Sequence, residues 1–178
     1  MAWGDDLGRL AEERGSALIG YAYLLTGDIE AARDLVQEAI VRTFARPRRG
    51  QQMEWLEAYV RRVVLNLYVD GYRRARVWRR VRPAVAAADV ATAADVRVVD
   101  HVDAQRALAT LPPRERACVV LRFYDDLTVA ALAERLGISE GTAKRYLADG
   151  LRKLQPLLGP VDPEGHDTVA IHLEGVLR

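Results

Sequence analysis

The sequence predicts an all-α protein of two small helical domains joined by a flexible linker. Three observations carry that expectation. Apolar residues recur at helical spacing along most of the 178 residues, and no segment shows strand-like alternation bounded by turn residues. Between Pro83 and Val99 the chain becomes Ala-rich and loses its large apolar anchors, which is the composition of a linker. Further on, two short helical patterns meet at Gly137, as in a helix-turn-helix.

Each element follows from local signals. A first helix is expected from Asp5 to Leu25, with Leu7, Leu10, Ala11, Leu18, Tyr21, Ala22 and Leu25 on its apolar stripe. Thr26-Gly27-Asp28 stops it, and Asp28 can cap the next helix, which runs to about Ala45. Ala32, Leu35, Val36, Ala39, Ile40 and Thr43 form the inner face there, leaving Asp34, Gln37, Glu38 and Val41 outside. Pro and Gly make residues 46–51 a loop, and a long amphipathic helix follows from Met53 to Arg80. After the linker come a helix from Asp100 to Thr110 and a second one opened by Pro112-Pro113, where a missing N–H costs little. That second helix ends near Tyr124.

Thr128 can cap a short helix, Val129 to Leu136, that faces inward through Leu132, Ala133 and Leu136. Gly137 supplies the positive φ of a sharp turn, Ile138 an apolar plug, and Ser139 the cap of the following helix. That helix, Glu140 to Leu158, buries Ala143, Leu147, Leu151 and Leu154 and turns Glu140, Lys144, Arg145, Ala148, Asp149 and Arg152 outward. A second helix of this kind enters the major groove with its N-terminal residues, while flanking cations hold the backbone. Asp149 can accept from a cytosine amine, or pair with Arg145 or Lys153 four residues away. Gly150 in mid-helix costs about 1 kcal/mol relative to Ala, and the sequence offers no reason for it.

Charge is segregated although the net charge is only +1. From Met1 to Val41 eight acids face Arg9, Arg14 and Arg33; from Arg42 to Arg82 twelve arginines face Glu54, Glu57 and Asp70. Such a split suits a polyanion on one face and a protein partner on another. A single cysteine, Cys118, lies in an apolar run and reads as a buried structural thiol. His101, His166 and His172 show no metal-ligand spacing, no Gly-rich phosphate loop is present, and no nucleophile stands beside a base. No catalytic residue, cofactor or metal site is therefore expected. Asp5 and Asp6 stand where a signal peptide would be basic, and no apolar run reaches the roughly 18 residues of a spanning helix, so a cytoplasmic protein without membrane insertion is expected.

Two separated segments share one resemblance. Leu111-Pro112-Pro113-Arg114-Glu115-Arg116, Leu121 to Thr128, and Gly137-Ile138-Ser139-Glu140-Gly141-Thr142-Ala143-Lys144-Arg145 resemble region 4 of sigma-70-type initiation factors of the extracytoplasmic-function group. Ala32 to Ala39 (Ala-Arg-Asp-Leu-Val-Gln-Glu-Ala) is similar to that family's region 2.2, and Glu57 to Asn66 to its regions 2.3 and 2.4. The resemblance implies a promoter-specificity subunit that binds RNA polymerase core, its region 2 on the β′ clamp helices and its region 4 on the β flap, and that reads −35 and −10 promoter DNA. It assigns residues 1–82 to region 2, 83–99 to the linker, 100–158 to region 4, and leaves 159–178 as a tail of unknown role.

Matched position by position, the resemblance implies polymerase contacts at Asp34, Gln37 and Glu38. It implies −10 contacts at Arg46, Arg48, Arg49, Gln51, Tyr59, Arg61, Arg62 and Asn66, and −35 contacts at Ser139, Glu140, Thr142, Lys144, Arg145, Asp149 and Arg152. Trp78, Tyr72 and Tyr68 are stacking surfaces or core, with core favoured for the two tyrosines. Related factors often carry an aromatic pair for DNA melting where this chain has Tyr59-Val60, so strong intrinsic melting is not expected. An anti-sigma factor held between the two domains is a further partner the family allows. The rival reading is a helix-turn-helix regulator that works without polymerase core. It accounts for Thr128 to Leu154 and leaves Asp28 to Arg82 without a role.

Overall fold

The computed structural model describes residues 2–45, 53–81 and 102–158. They form seven helices: α1 (Ala2–Thr26), α2 (Ile29–Phe44), α3 (Met53–Val81), α4 (Val102–Ala109), α5 (Pro113–Phe123), α6 (Val129–Leu136) and α7 (Glu140–Leu158). The chain divides into two compact units, Met1–Arg73 and Arg74–Arg178, the division falling within α3. The expected loop at 46–51, the linker at 83–99 and the tail at 159–178 lie outside the described residues.

In the first unit, α1 ends where Gly27 takes a φ of 71°, a conformation glycine reaches without strain. Asp28 is extended, and its side chain accepts the Ala31 N–H at 2.8 Å, satisfying one of the orphan donors that open α2. Losing such a cap costs about 1 kcal/mol. The core joins Leu10, Leu18, Tyr21, Ala22 and Leu25 of α1 to Ala32, Val36 and Ala39 of α2 and Leu56, Val60 and Val64 of α3. Two details differ from the sequence reading. The first helix starts at Ala2 rather than Asp5. Ala11 is exposed, because it stands 100° around the helix from Leu10 and its single methyl has no reach back to the core.

A polar hub ties α3 to α1. Glu57 on α3 meets Arg14 of α1 at 3.4 Å and Arg61 one turn along α3. The Arg61 guanidinium also lies over the ring of Tyr21, 5.7 Å from its centroid. Glu57 is largely shielded from solvent, so both arginines offset a carboxylate that would otherwise be costly to desolvate.

In the second unit, α5 is the central helix, with Ala117, Cys118, Val119, Val120 and Leu121 all buried in succession. Pro113 occupies its first turn as the sequence predicts. Arg116, also buried, reaches back to donate to the carbonyls of Ala109 at 2.6 Å and Leu111 at 3.1 Å, filling acceptors left open at the end of α4. Between α5 and α6, Asp126 adopts a φ of 49°, and Arg122 secures the turn from the Asp126 carboxylate at 3.5 Å and the Leu127 carbonyl at 3.4 Å. Thr128 caps α6 by accepting the Ala131 N–H at 3.2 Å.

Gly150 has a steric explanation. It sits where α7 crosses α5, and a methyl group there would lie 3.0 Å from Val119 Cγ2 and 3.5 Å from Glu115 Cβ. Three residues on, Lys153 Nζ donates to both Glu115 carboxylate oxygens at 2.8 Å. Leu147 and Leu154 are buried on either side of this crossing, while Leu151 is only half-buried.

Two outcomes test the packing of α5. Gly150→Val is expected to destabilise the protein by about 1–3 kcal/mol through overpacking. Val119→Ala in the same chain should recover part of that loss. Urea titration followed by circular dichroism checks both, and an unmoved midpoint for Gly150→Val contradicts the close crossing. The second concerns Cys118, whose thiol burial pushes up from 9.0 to about 12, with Arg114 pulling it down and Glu115 pushing it up. The unfolded thiol ionises first, so this contribution is intact below the unfolded value and is lost as pH rises towards 12. Stability should therefore fall more steeply above pH 9 in the wild type than in Cys118→Ala, and a disulfide reagent should label the thiol only at the unfolding rate.

Candidate nucleic-acid interface

The turn between α6 and α7 is built from its backbone upward. Gly137 has a φ of 62° and donates to the Glu134 carbonyl at 3.1 Å, while Ile138 donates to that of Ala133 at 3.0 Å. These bonds close α6 and reverse the chain within two residues. Ser139 Oγ then accepts the Thr142 N–H at 3.2 Å and shares a 2.9 Å hydrogen bond with Thr142 Oγ1. Ser139 and Thr142, both expected at DNA, thus supply the cap that starts α7, and both remain at its open N-terminal end.

Ala143, Leu147, Gly150 and Leu154 fix which edge of α7 faces the core. The opposite edge exposes Glu140, Gly141, Lys144, Arg145, Ala148 and Arg152. Among the described residues, Lys144 forms no ion pair, and Arg145 lies over the ring of Tyr146 at 5.4 Å. Tyr146 OH in turn stands 3.5 Å from Arg114 on α5, so the ring that carries Arg145 is itself anchored. A guanidinium resting on an aromatic face keeps its N–H edge directed outward, the edge that pairs with base or phosphate acceptors.

Asp149 behaves differently from either pairing the sequence offers. Its partner is Arg152 at 2.6 Å, three residues along, whereas Lys153 is drawn away to Glu115 and Arg145 to Tyr146. Side chains three apart meet on a helix as readily as those four apart, and the pull of a shielded carboxylate on Lys153 leaves Arg152 as the available cation. Arg152 remains mostly exposed and so keeps donors for a phosphate.

In the first unit the exposed edge of α3 presents Trp55, Arg62 and Asn66, with Tyr59 half-buried in the same line. Their spacing of four, three and four residues places all four on one stripe. Arg62 forms no ion pair among the described residues. Arg61 points into the hub with Glu57 and Tyr21 instead. Arg46, Arg48, Arg49 and Gln51 lie outside the described residues, as does the side chain of Trp78. Tyr68 and Tyr72 are half-buried on α3.

On α2, Asp34, Gln37 and Glu38 are all exposed on the face turned away from α1. Glu38 is paired with Arg42 and Glu30 with Arg33 along the helix, whereas Asp34 has no ion-pair partner among the described residues. Val41, 63% exposed, stands one turn beyond Gln37 on the same face. Sequence reasoning placed Val41 outside the core without giving it a role, and it missed Trp55 altogether. The signal for Trp55 was its i, i+4 spacing from Tyr59.

No described helix is long and apolar enough to cross a membrane, and no cluster of three or more His, Cys, Asp or Glu among the described residues has the makings of a metal site.

Comparison with known proteins bears on both units. Residues 10–79 match the family model of sigma-70 region 2, and residues 107–155 match that of sigma-70 region 4. The chain is 32% identical over 154 residues to the ECF RNA polymerase sigma factor SigL of Mycobacterium tuberculosis, covering 82% of this chain and 85% of that protein. It is 31% identical over 142 residues to the RNA polymerase sigma-E factor of Streptomyces coelicolor, covering 80% of each. Among solved structures, the sigma factor RpoE of Bartonella quintana, crystallised with the anti-sigma factor NepR, shares the fold with a TM-score of 0.55 at 24% identity, over 80% of this chain and 89% of that one. With two region models matched in order and relatives aligned over most of their length, the chain belongs to the sigma-70 family of RNA polymerase sigma factors, in its extracytoplasmic-function (ECF) branch.

Proposed function

We propose that this sigma factor works as a bipartite promoter reader, with α7 on the −35 element and the exposed edge of α3 on the −10 element. As a sigma factor it binds RNA polymerase core and directs transcription initiation at promoters. The observation that carries the finer reading is the division between cations tied to internal partners and cations that face outward. Arg61, Arg116 and Lys153 are committed to internal partners, while Lys144, Arg145 and Arg62 stand on exposed helix edges.

At the −35 element, Lys144 and Arg145 are assigned to base edges or adjacent phosphate, and Arg152, oriented by Asp149, to phosphate. Glu140 stands beside them at the helix N-terminus, with Ser139 and Thr142 holding the helix start. At the −10 element, Arg62, Asn66 and Tyr59 take the DNA, together with Arg46, Arg48, Arg49 and Gln51. Arg61 is better placed to position α3 than to touch DNA. Residues 1–82 and 100–158 serve as the two working modules, with 83–99 as the connection.

On the polymerase side, Asp34, Gln37 and Glu38 are assigned to the β′ clamp helices and the 100–158 module to the β flap. Acidic groups on one helix face steer association with a surface of opposite charge and fix its orientation. The protein acts by binding and has no catalytic role of its own. Its place of work is the cytoplasm, where core polymerase is found. An anti-sigma factor is a fitting regulator, because the Bartonella quintana neighbour was crystallised with one.

Two outcomes test this reading. Mixed with core polymerase at low salt, the chain should co-elute as a stable complex, and Asp34→Ala with Glu38→Ala should weaken that complex about tenfold or more while leaving binding to isolated −35 duplex within twofold. Absence of any complex would favour a regulator that works without core. Separately, Lys144→Glu with Arg145→Glu should abolish promoter-duplex binding and leave core affinity unchanged, as measured by fluorescence anisotropy. Unaltered duplex binding would remove α7 from the groove.

A further inference from the structure

Lys144 and Arg145 stand side by side on the outer edge of α7, both cationic and both exposed, yet they are held differently. Lys144 has no ion-pair partner among the described residues, and its ammonium swings on a flexible four-carbon stem. The Arg145 guanidinium rests over the ring of Tyr146, 5.4 Å from its centroid. That ring is half-buried, and Arg114 Nη1 of α5 donates to its hydroxyl at 3.5 Å. The ring is thus held from two sides, by its place beside the buried Leu147 and by a residue 32 positions earlier in the chain.

This difference bears on sequence discrimination. A phosphate accepts a mobile cation, because charge acts from many directions and over several ångströms. A base edge is more demanding. Guanine offers O6 and N7 as two acceptors in one plane, and a guanidinium meets both only when its N–H edge lies along that plane. Stacking on Tyr146 occupies one face of the Arg145 guanidinium and leaves its edge to point away from α7. The next acid along α7, Asp149, is taken by Arg152 at 2.6 Å and does not draw Arg145 aside. Arg145 also lies in the second turn of the helix, near the end that a recognition helix inserts into the groove. One turn before it, Gly141 faces open space, since a Cβ there would meet nothing within 4 Å. One turn after it, the exposed Ala148 adds only a methyl group.

We propose that Tyr146 is a positioning residue of the −35 reader: it fixes the Arg145 guanidinium so that Arg145 discriminates a guanine, while Lys144, which no ring holds, serves phosphate whatever the sequence. This rests on the proposed −35 role of α7. Tyr146 acts through the side chain it carries and not by touching DNA. Fixing the guanidinium before DNA arrives lowers the ordering cost at the correct site, and a site without guanine at that place gains nothing from it. Through the Tyr146 hydroxyl, Arg114 makes α5 a contributor to selectivity from outside the helix-turn-helix.

The test uses holoenzyme reconstituted from the full chain and core polymerase. Its probes are a promoter fragment that this holoenzyme selects from genomic DNA, and copies in which each G·C pair of the −35 block is replaced in turn by A·T. Affinities are measured by fluorescence anisotropy at fixed salt. Wild type should lose about five- to hundredfold at one G·C pair that Arg145→Ala no longer distinguishes. Tyr146→Leu should flatten the same position to within about threefold and change nothing further in a chain that already carries Arg145→Ala. Tyr146→Phe keeps the ring and should keep most of the discrimination. Lys144→Ala should weaken binding to all fragments alike and reduce its salt dependence. Full discrimination by Tyr146→Leu overturns the proposal. So does a Tyr146→Leu loss that persists beside Arg145→Ala and spreads evenly over the −35 block, which is the mark of a folding defect. An Arg145→Ala holoenzyme that matches wild type on every fragment overturns the −35 role of Arg145 itself, and with it this proposal.

Discussion

How α7 presents its outer edge depends on how closely its inner edge presses against α5. At Gly150 the two helices approach until a single methyl would be tight against Val119, and Lys153 then spans the crossing to grip both oxygens of Glu115. The absence of a side chain sets the distance, and the ion pair sets the rotation. Once both are fixed, Lys144, Arg145 and Ala148 have only one direction in which to face. Gly150 gives up about 1 kcal/mol of helix propensity relative to Ala, and the seam it permits returns buried contact around Leu147 and Leu154.

The same logic governs the arginines. The chain carries them in such density that charge alone does not distinguish a DNA contact from a structural tie. Their partners do. Arg61 is held by a shielded carboxylate and an aromatic face, Arg116 by two carbonyls at the end of α4, and Arg122 by the α5–α6 turn. Among the described residues, Arg62 on α3 and Arg145 and Arg152 on α7 stay exposed. On α2 the acids divide likewise, with Glu30 and Glu38 paired along the helix and Asp34 outside any ion pair among the described residues.

Much of this was legible in the sequence because it is local. Asp28, Thr128 and Ser139 cap the helices they precede, Pro113 opens α5, and Gly137 turns the chain, since each of these effects operates within about four residues. The inner faces of α2, α6 and α7 follow from periodicity for the same reason. Gly150 was not legible, because its neighbours Val119 and Glu115 come from another helix more than thirty positions earlier in the chain. Nor was the partner of Asp149, which was settled by competition: Glu115, 38 residues away, takes Lys153 and leaves Arg152. The assignment of Arg61 to DNA rested on matching positions in a family, and such matching carries no information on whether a guanidinium faces Glu57 or solvent.

Two helix edges, one in each unit, are proposed to read two promoter elements for one polymerase. This division of labour is tested most directly by in vitro transcription of fragmented genomic DNA with core polymerase and this chain, followed by mapping of every transcript 5′ end. The start sites should share two conserved blocks, one near −35 and one near −10, separated by a constant spacer. Start sites that share only one block, or transcripts no different from those of core polymerase alone, would contradict it.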